Sequence, residues 1–133
     1  MRRLQPVFEG LSTVYASVYD DYADDVPGHR FYRISDITRF NPIKLAILIP
    51  QLIWILLRER PEVVVTTGSA PGLVAIALAK TLVRAKTIWI DSIANCERLS
   101  SSGRQAQRFA DLWLTQWPHL ATIPGPLYWG AVL

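Results

Sequence analysis

Three short stretches of this 133-residue chain carry side chains suited to chemistry; the first two directly follow runs that read as β-strands, and the third lies in a loop. The first is Gly68-Ser69-Ala70-Pro71-Gly72, after the β-branched run Val63–Thr67. A buried strand, a Gly-containing turn and a helix start aim backbone N–H groups at one point, which suits a phosphate or diphosphate. Gly68 and Gly72 would let a ligand approach the backbone, and Ser69 adds a hydroxyl. The run is neither a Walker A loop nor a GxGxxG turn, and glycines serving packing alone explain it equally well. The second stretch is Asp91-Ser92, directly after Thr87–Ile90. Open parallel sheets bind ligands at the carboxyl ends of their strands. A carboxylate there suits a general base on a sugar hydroxyl or a hydrogen-bond acceptor for one; the plainer role is a helix cap. The third is Leu99–Arg104 (LSSSGR), where Ser100, Ser102, Gly103 and Arg104 would make a phosphate cradle, with Arg104 binding bidentately. A solvated loop is the competing reading.

Other polar groups point to less. His29 and His119 have no partners at metal-ligand spacing, so no metal site is expected. Cys96 is the one cysteine; it has no relay and cannot form an internal disulfide. Asp20, Asp21, Asp24 and Asp25 do not follow a calcium-loop pattern and read as a solvated acidic loop. Gln116-Trp117-Pro118 follows another strand-like run, where the Trp would either line a cleft or pack.

The elements that must position these groups alternate. Met1–Gly10 reads as a helix tail ending at Gly10, Val14–Tyr19 as a strand and Phe31–Ile34 as a short one. Arg39–Pro42 is a breaker, Ile43–Leu57 an apolar helix, and Val63–Thr67 a strand buried on both faces. Gly68–Gly72 is a tight loop and Leu73–Val83 a helix. Thr87–Ile90 is a strand, Asn95–Gly103 a loop, Gly103–Ala110 a helix, Leu112–Thr115 a strand, and Tyr128–Val132 a last strand. This order predicts an α/β fold with a Rossmann-like parallel sheet, in a single domain over residues 1–133. With 50% hydrophobic and 19% charged residues, disorder is excluded. A net charge of +3 is too small to argue for nucleic acid, though basic residues gather between Lys80 and Arg108.

The run Ile43–Leu57 is too short for a transmembrane helix, and Pro50 interrupts it. It suits a core helix, or one that dips into lipid headgroups with Trp54 at the boundary and Lys44 and Arg58 near its ends. The two are compatible if each face does one job. No cleavable signal peptide is visible, and the lone cysteine agrees with a reducing compartment.

Several segments in order resemble one family. They are Pro61-Glu62-Val63-Val64-Val65-Thr66-Thr67-Gly68, Ile88-Trp89-Ile90-Asp91-Ser92, Leu99–Arg104, Ala110–Trp117 and Tyr128-Trp129-Gly130. Together they resemble the Alg-fourteen-like family of oligosaccharide biosynthesis proteins, with bacterial members of the PssD and EpsE kind and a relation to the N-terminal half of MurG-type enzymes. The resemblance runs from about Pro61 to Val132.

The resemblance implies the acceptor-binding half of a GT-B glycosyltransferase. A small partner subunit would bind the UDP-sugar donor, and this chain would bind no cofactor of its own and be inactive alone. The acceptor would be a sugar on a polyprenyl diphosphate, handled at the cytoplasmic face of a membrane by a peripheral heterodimer. Asp91 stands where relatives usually carry Glu, and would be the catalytic group. Ser92, Ser100, Ser102, Gly103 and Arg104 match the acceptor-side pattern, while Gln116 and Trp117 match a segment expected at the cleft or partner contact. Asn95 stands where a basic residue is common. The family pattern opens with a strand and a Gly-Gly-His loop that this chain lacks. The expectation is therefore an N-terminally shortened domain with an exposed sheet edge. Two alternatives stand beside the split transferase: a non-catalytic membrane and partner scaffold, and a free-standing nucleotide-binding enzyme.

Overall fold

A computed structural model describes residues 2–37 and 41–131. Met1, Arg39 and Val132, which bound three of the predicted segments, lie outside the described residues. The architecture is α/β and Rossmann-like, and the strands pair in parallel throughout.

The chain opens with a 3₁₀ segment, Arg2–Phe8, rather than the expected α-helix. Pro6 lies inside it and removes a backbone donor, which disfavours regular α-helix there. Strands β1 (Val14–Ser17) and β2 (Arg30–Arg33) form a two-stranded sheet, with Val14 opposite Arg30 and Ser17 opposite Arg33. Between them the acidic stretch forms a 3₁₀ turn at Asp20–Ala23. Asp20 there pairs with Arg33.

Helix α1 spans Pro42–Glu59. Asn41 caps it by accepting from the Ile43 N–H at 3.0 Å, and Pro42 occupies the first turn, where its missing donor costs nothing. The helix runs through Pro50 instead of breaking there. Pro50 and Ala46, whose carbonyl loses its partner, are both exposed, so solvent can satisfy that carbonyl. Arg60 ends the helix in the left-handed region at φ 44. Leu48, Leu52 and Leu56 recur every four residues and are buried. Leu48 and Leu52 form a core with Ile34 and Ile37, against which Val74, Ala75 and Leu78 pack. No helix among the described residues is long and apolar enough to cross a membrane.

The main sheet has the order β3-β4-β5-β6 (Val63–Thr66, Lys86–Ile90, Leu112–Thr115, Leu127–Tyr128). Val65 lies opposite Ile88, Ile88 opposite Leu112, and Leu114 opposite Leu127. The expectation that Val63–Thr67 is buried on both faces is not met. Val63 is 48% exposed and Val64 and Val65 are half-buried, because β3 sits at the edge of its sheet. The last strand is shorter than the predicted Tyr128–Val132.

Helix α2 (Ala70–Leu78) starts earlier than expected and continues as a π-helical turn, Ala79–Val83. Helix α3 (Ser101–Ala106) begins inside the stretch expected to be loop. Leu73 and Ile76 of α2 and Ala106 of α3 pack on Trp89 of β4, with Val64 and Trp113 from the neighbouring strands. That contact fixes which face of β4 turns inward: Thr87, Trp89 and Asp91 alternate onto it, and all three are buried.

Candidate functional site

The first two chemical stretches share one edge of the sheet because β3 and β4 are neighbours and parallel; the third lies in the same β4–α3 connection as Asp91, and Gln116-Trp117 follows β5 at that edge. The turn after β3 comes near the loop after β4: a Cβ added at Gly68 would sit 4.0 Å from the Ser92 backbone nitrogen.

The β3–α2 turn takes its shape from the backbone. Gly68 has φ +112, a conformation that a side chain would strain. Ser69 follows at φ 75, which is rare for a non-glycine residue. Its hydroxyl accepts from the Gly72 N–H at 3.4 Å and caps α2. Thr66 Oγ1 donates to the Gly68 carbonyl at 3.2 Å. Gly72 is not open to a ligand. It is buried in the first helical turn, and a Cβ there would lie 2.1 Å from Thr66 Oγ1. Its glycine is explained by close packing of helix on strand.

Asp91 is the centre of the β4–α3 loop and is 1% exposed. Its Oδ1 accepts from the Ser100 hydroxyl at 2.9 Å and from Trp89 Nε1 at 3.3 Å. Its Oδ2 accepts from the Ser100 N–H and from Asn95 Nδ2, both at 3.3 Å. Four donors thus converge on a carboxylate within the chain, which satisfies the burial of a polar group. The Ser100 hydroxyl also accepts from the Gly103 N–H at 2.8 Å, capping α3. Gly103 is again a packing glycine, since a Cβ would lie 2.5 Å from Asp91 Oδ1. Ser92 accepts from the Ala94 N–H at 3.3 Å. Ser102 is half-buried on α3, and Arg104 is exposed, its Nη1 donating to the Leu99 carbonyl at 3.3 Å.

Gln116 and Trp117 turn onto the same loop. Gln116 is buried, and its Nε2 donates to the Asp91 carbonyl at 2.9 Å. Trp117 Nε1 donates to the Ile93 carbonyl at 2.8 Å. His119 Nε2 bonds the Cys96 carbonyl, and since a carbonyl only accepts, that nitrogen carries the proton. Asn95 and His119 were not singled out for a role by sequence. No spacing rule links an imidazole to a carbonyl more than twenty residues away; the shared strand end does.

Asp111 belongs to a support at the opposite end of the strands. Its carboxylate accepts from the Thr87 N–H at 2.9 Å and from Lys80 Nζ at 3.0 Å. These bonds, first the Thr87 amide and then Lys80, stabilise the ionised form and hold its pKa below the ordinary carboxylate range.

Lys44, Trp54 and Arg58 form a separate group on the outer side of α1. Trp54 is 55% exposed, and Ile43, Ile47 and Leu57 lie exposed at related helical positions. The Arg58 guanidinium carbon sits 5.3 Å from the Trp54 ring centre, and Tyr32 meets the same indole edge-on at 5.7 Å. Tyr32 donates to Glu59, and that bond raises its hydroxyl pKa. Glu59 also pairs with Arg30 at 2.9 Å. A shallow apolar hollow of about 380 Å³ runs along Tyr32, Arg33, Pro50, Gln51, Trp54 and Ile55.

Residues 30–132 match the family model described as oligosaccharide biosynthesis protein Alg14 like. The UDP-N-acetylglucosamine transferase subunit ALG14 of Eremothecium gossypii is 37% identical over 70 residues. That alignment covers 49% of this chain and 31% of the relative, so the chain spans less than half the length of the curated relative it matches.

Proposed function

This chain belongs to the Alg14-like family of oligosaccharide biosynthesis proteins, and on that premise we propose that it is the acceptor-binding, membrane-recruiting subunit of a two-part UDP-sugar glycosyltransferase. The donor is UDP-N-acetylglucosamine, bound by the partner subunit, in keeping with the name of the Eremothecium gossypii relative. The acceptor is a sugar on a polyprenyl diphosphate, presented at the cytoplasmic face of the membrane, where the heterodimer is peripheral. The chain's relation to MurG-type enzymes and to bacterial exopolysaccharide subunits is part of the same proposal.

One observation carries this reading: the β3–α2 turn and the β4–α3 loop leave the same carboxyl edge of the parallel sheet, with Gly68 near Ser92. Around that junction the exposed Ser69 hydroxyl, Ser92, Ser102 and the exposed Arg104 suit a diphosphate and the first sugar. The outer side of α1 suits the lipid surface: Trp54, Ile47 and Leu57 offer apolar area, and Lys44 and Arg58 offer charge to anionic headgroups.

Asp91 works in this reading by holding the loop, not by taking a proton. Both of its oxygens already accept two donors, and it is shut from solvent. The same saturation favours the second reading, a scaffold that docks the partner and the membrane without contributing a catalytic group.

Co-expression with a donor-binding partner, followed by transfer assays with UDP-N-acetylglucosamine and a polyprenyl-diphosphate sugar, tests the first reading. A membrane-bound pair that transfers sugar is expected, with Arg104→Ala slowing transfer while the pair still co-purifies. Unchanged transfer in Arg104→Ala and Ser102→Ala would leave the scaffold. A chain that never joins a partner or a membrane overturns both.

A further inference from the structure

Three side chains from one short segment after β5 each donate to a backbone carbonyl of the β4–α3 loop. Gln116 reaches the Asp91 carbonyl at 2.9 Å, Trp117 the Ile93 carbonyl at 2.8 Å, and His119 the Cys96 carbonyl. The acceptors are spaced along the loop, so its first half is held as a strip rather than at one point. Because the targets are carbonyls, the contacts read the loop's path and not its side chains. A second set of bonds is internal to the connection, from Asn95 and Ser100 to the Asp91 carboxylate. Two sets of bonds therefore fix one loop, one from within it and one from the segment after β5. An indole has a single N–H, and here it is used on the loop, while the Trp117 ring lies 5.9 Å from the His119 ring.

From this geometry we infer that Gln116, Trp117 and His119 are positioning residues: they hold the 92–99 loop in the path that lets Ser92 receive the phosphorylated acceptor. The inference rests on the acceptor-binding reading above. It assigns the Gln-Trp-x-His segment to loop geometry instead of to direct contact with a partner or ligand. Preorganisation of this kind lowers the ordering cost of binding, so its loss shows in acceptor affinity before it shows in turnover.

Trp117→Phe keeps an aromatic ring and deletes the N–H. In the co-expressed pair it is expected to raise the KM for a polyprenyl-diphosphate-linked N-acetylglucosamine about five-fold, the equivalent of roughly one hydrogen bond. The KM for UDP-N-acetylglucosamine, the kcat and co-purification should stay put. In the same variant, hydrogen exchange of the amides of residues 93–99 should quicken. His119→Phe, at an exposed position, should move both readouts the same way, and His119→Gln, which restores an N–H donor, should partly recover them. Unchanged loop exchange in both Trp117→Phe and His119→Phe overturns the clamp. Faster exchange with unchanged acceptor KM overturns the positioning role. If the unaltered pair transfers no sugar, the acceptor reading falls, and this role falls with it; the exchange measurement still decides whether the clamp exists.

Discussion

The turn after β3 and the loop after β4 leave the same edge of the same sheet, yet they are held in opposite ways. The turn is set by backbone conformation, with positive φ at Gly68 and Ser69 and one cap on α2. The loop is set by side chains: Asp91, Asn95 and Ser100 from within, Gln116, Trp117 and His119 from the next strand. A short connection can be specified by two dihedral angles. A longer one has too many to fix this way, and ordering it costs conformational entropy that cross-links must offset. Damage should therefore stay local in the turn and spread in the loop.

The largest expected effect puts a methyl group on the loop's buried glycine. Gly103→Ala drives a Cβ to 2.5 Å from Asp91 Oδ1, and should cost about 3 kcal/mol in denaturant unfolding. Its counterpart near the turn, Gly72→Ala, meets the Thr66 side chain first, at 2.1 Å from Oγ1. Pairing it with Thr66→Ala should recover much of its loss, whereas no single partner change should rescue Gly103→Ala. A double-mutant cycle that finds both rescuable would erase the contrast.

Asp91→Asn comes next. It turns an acceptor into a donor opposite Ser100 or Asn95, so a cost of about 2 kcal/mol is expected from the buried mismatch. Hydrogen exchange should rise over the loop and the first turn of α3 but not at residues 67–69. Ser69→Gly should do the reverse in kind. It relieves a left-handed residue while losing a cap, and thermal melting should show a net gain of about 0.5 kcal/mol or less.

The smallest effect lies away from both connections. Asp111 has its pKa pushed below the ordinary carboxylate range in the folded chain, so the unfolded chain takes up that proton more readily. Its contribution is fully present above the ordinary range, near pH 4, and is lost as pH falls through the lowered value. Asp111→Asn should flatten the acid limb of stability against pH. An unchanged acid limb would remove Asp111 from the account.

Much of this contrast was legible in the sequence, though not its sign. Leu112–Thr115 and Thr87–Ile90 announce themselves as strands by β-branched and aromatic content, and the structure agrees closely. Asp91 stands out as a carboxylate at a strand end, and Ser100 and Gly103 as part of a separate Ser-rich stretch suited to a phosphate. Sequence could not say that these residues satisfy one another, because that depends on α3 starting at Ser101 within a Ser-rich stretch that reads as loop. Pro71 likewise hid the start of α2, although a proline is tolerated in a helix's first turn. The edge position of β3 was invisible because burial on two faces is a property of neighbours, not of a valine run. The exposed apolar side of α1 was visible as an apolar helix, but its division into a buried leucine row and an exposed tryptophan side needed the packing partners.

Every strand pairing among the described residues is parallel, so no strand can zip onto the one beside it through a tight hairpin. Val63 waits for Lys86, and Ile88 for Leu112, each across an intervening helix. Contacts so distant along the chain form late, and β-branched segments stand unpaired until they do. Slow synthesis at reduced temperature, with any partner made at the same time, should therefore raise the yield of folded protein more than a change of buffer after lysis.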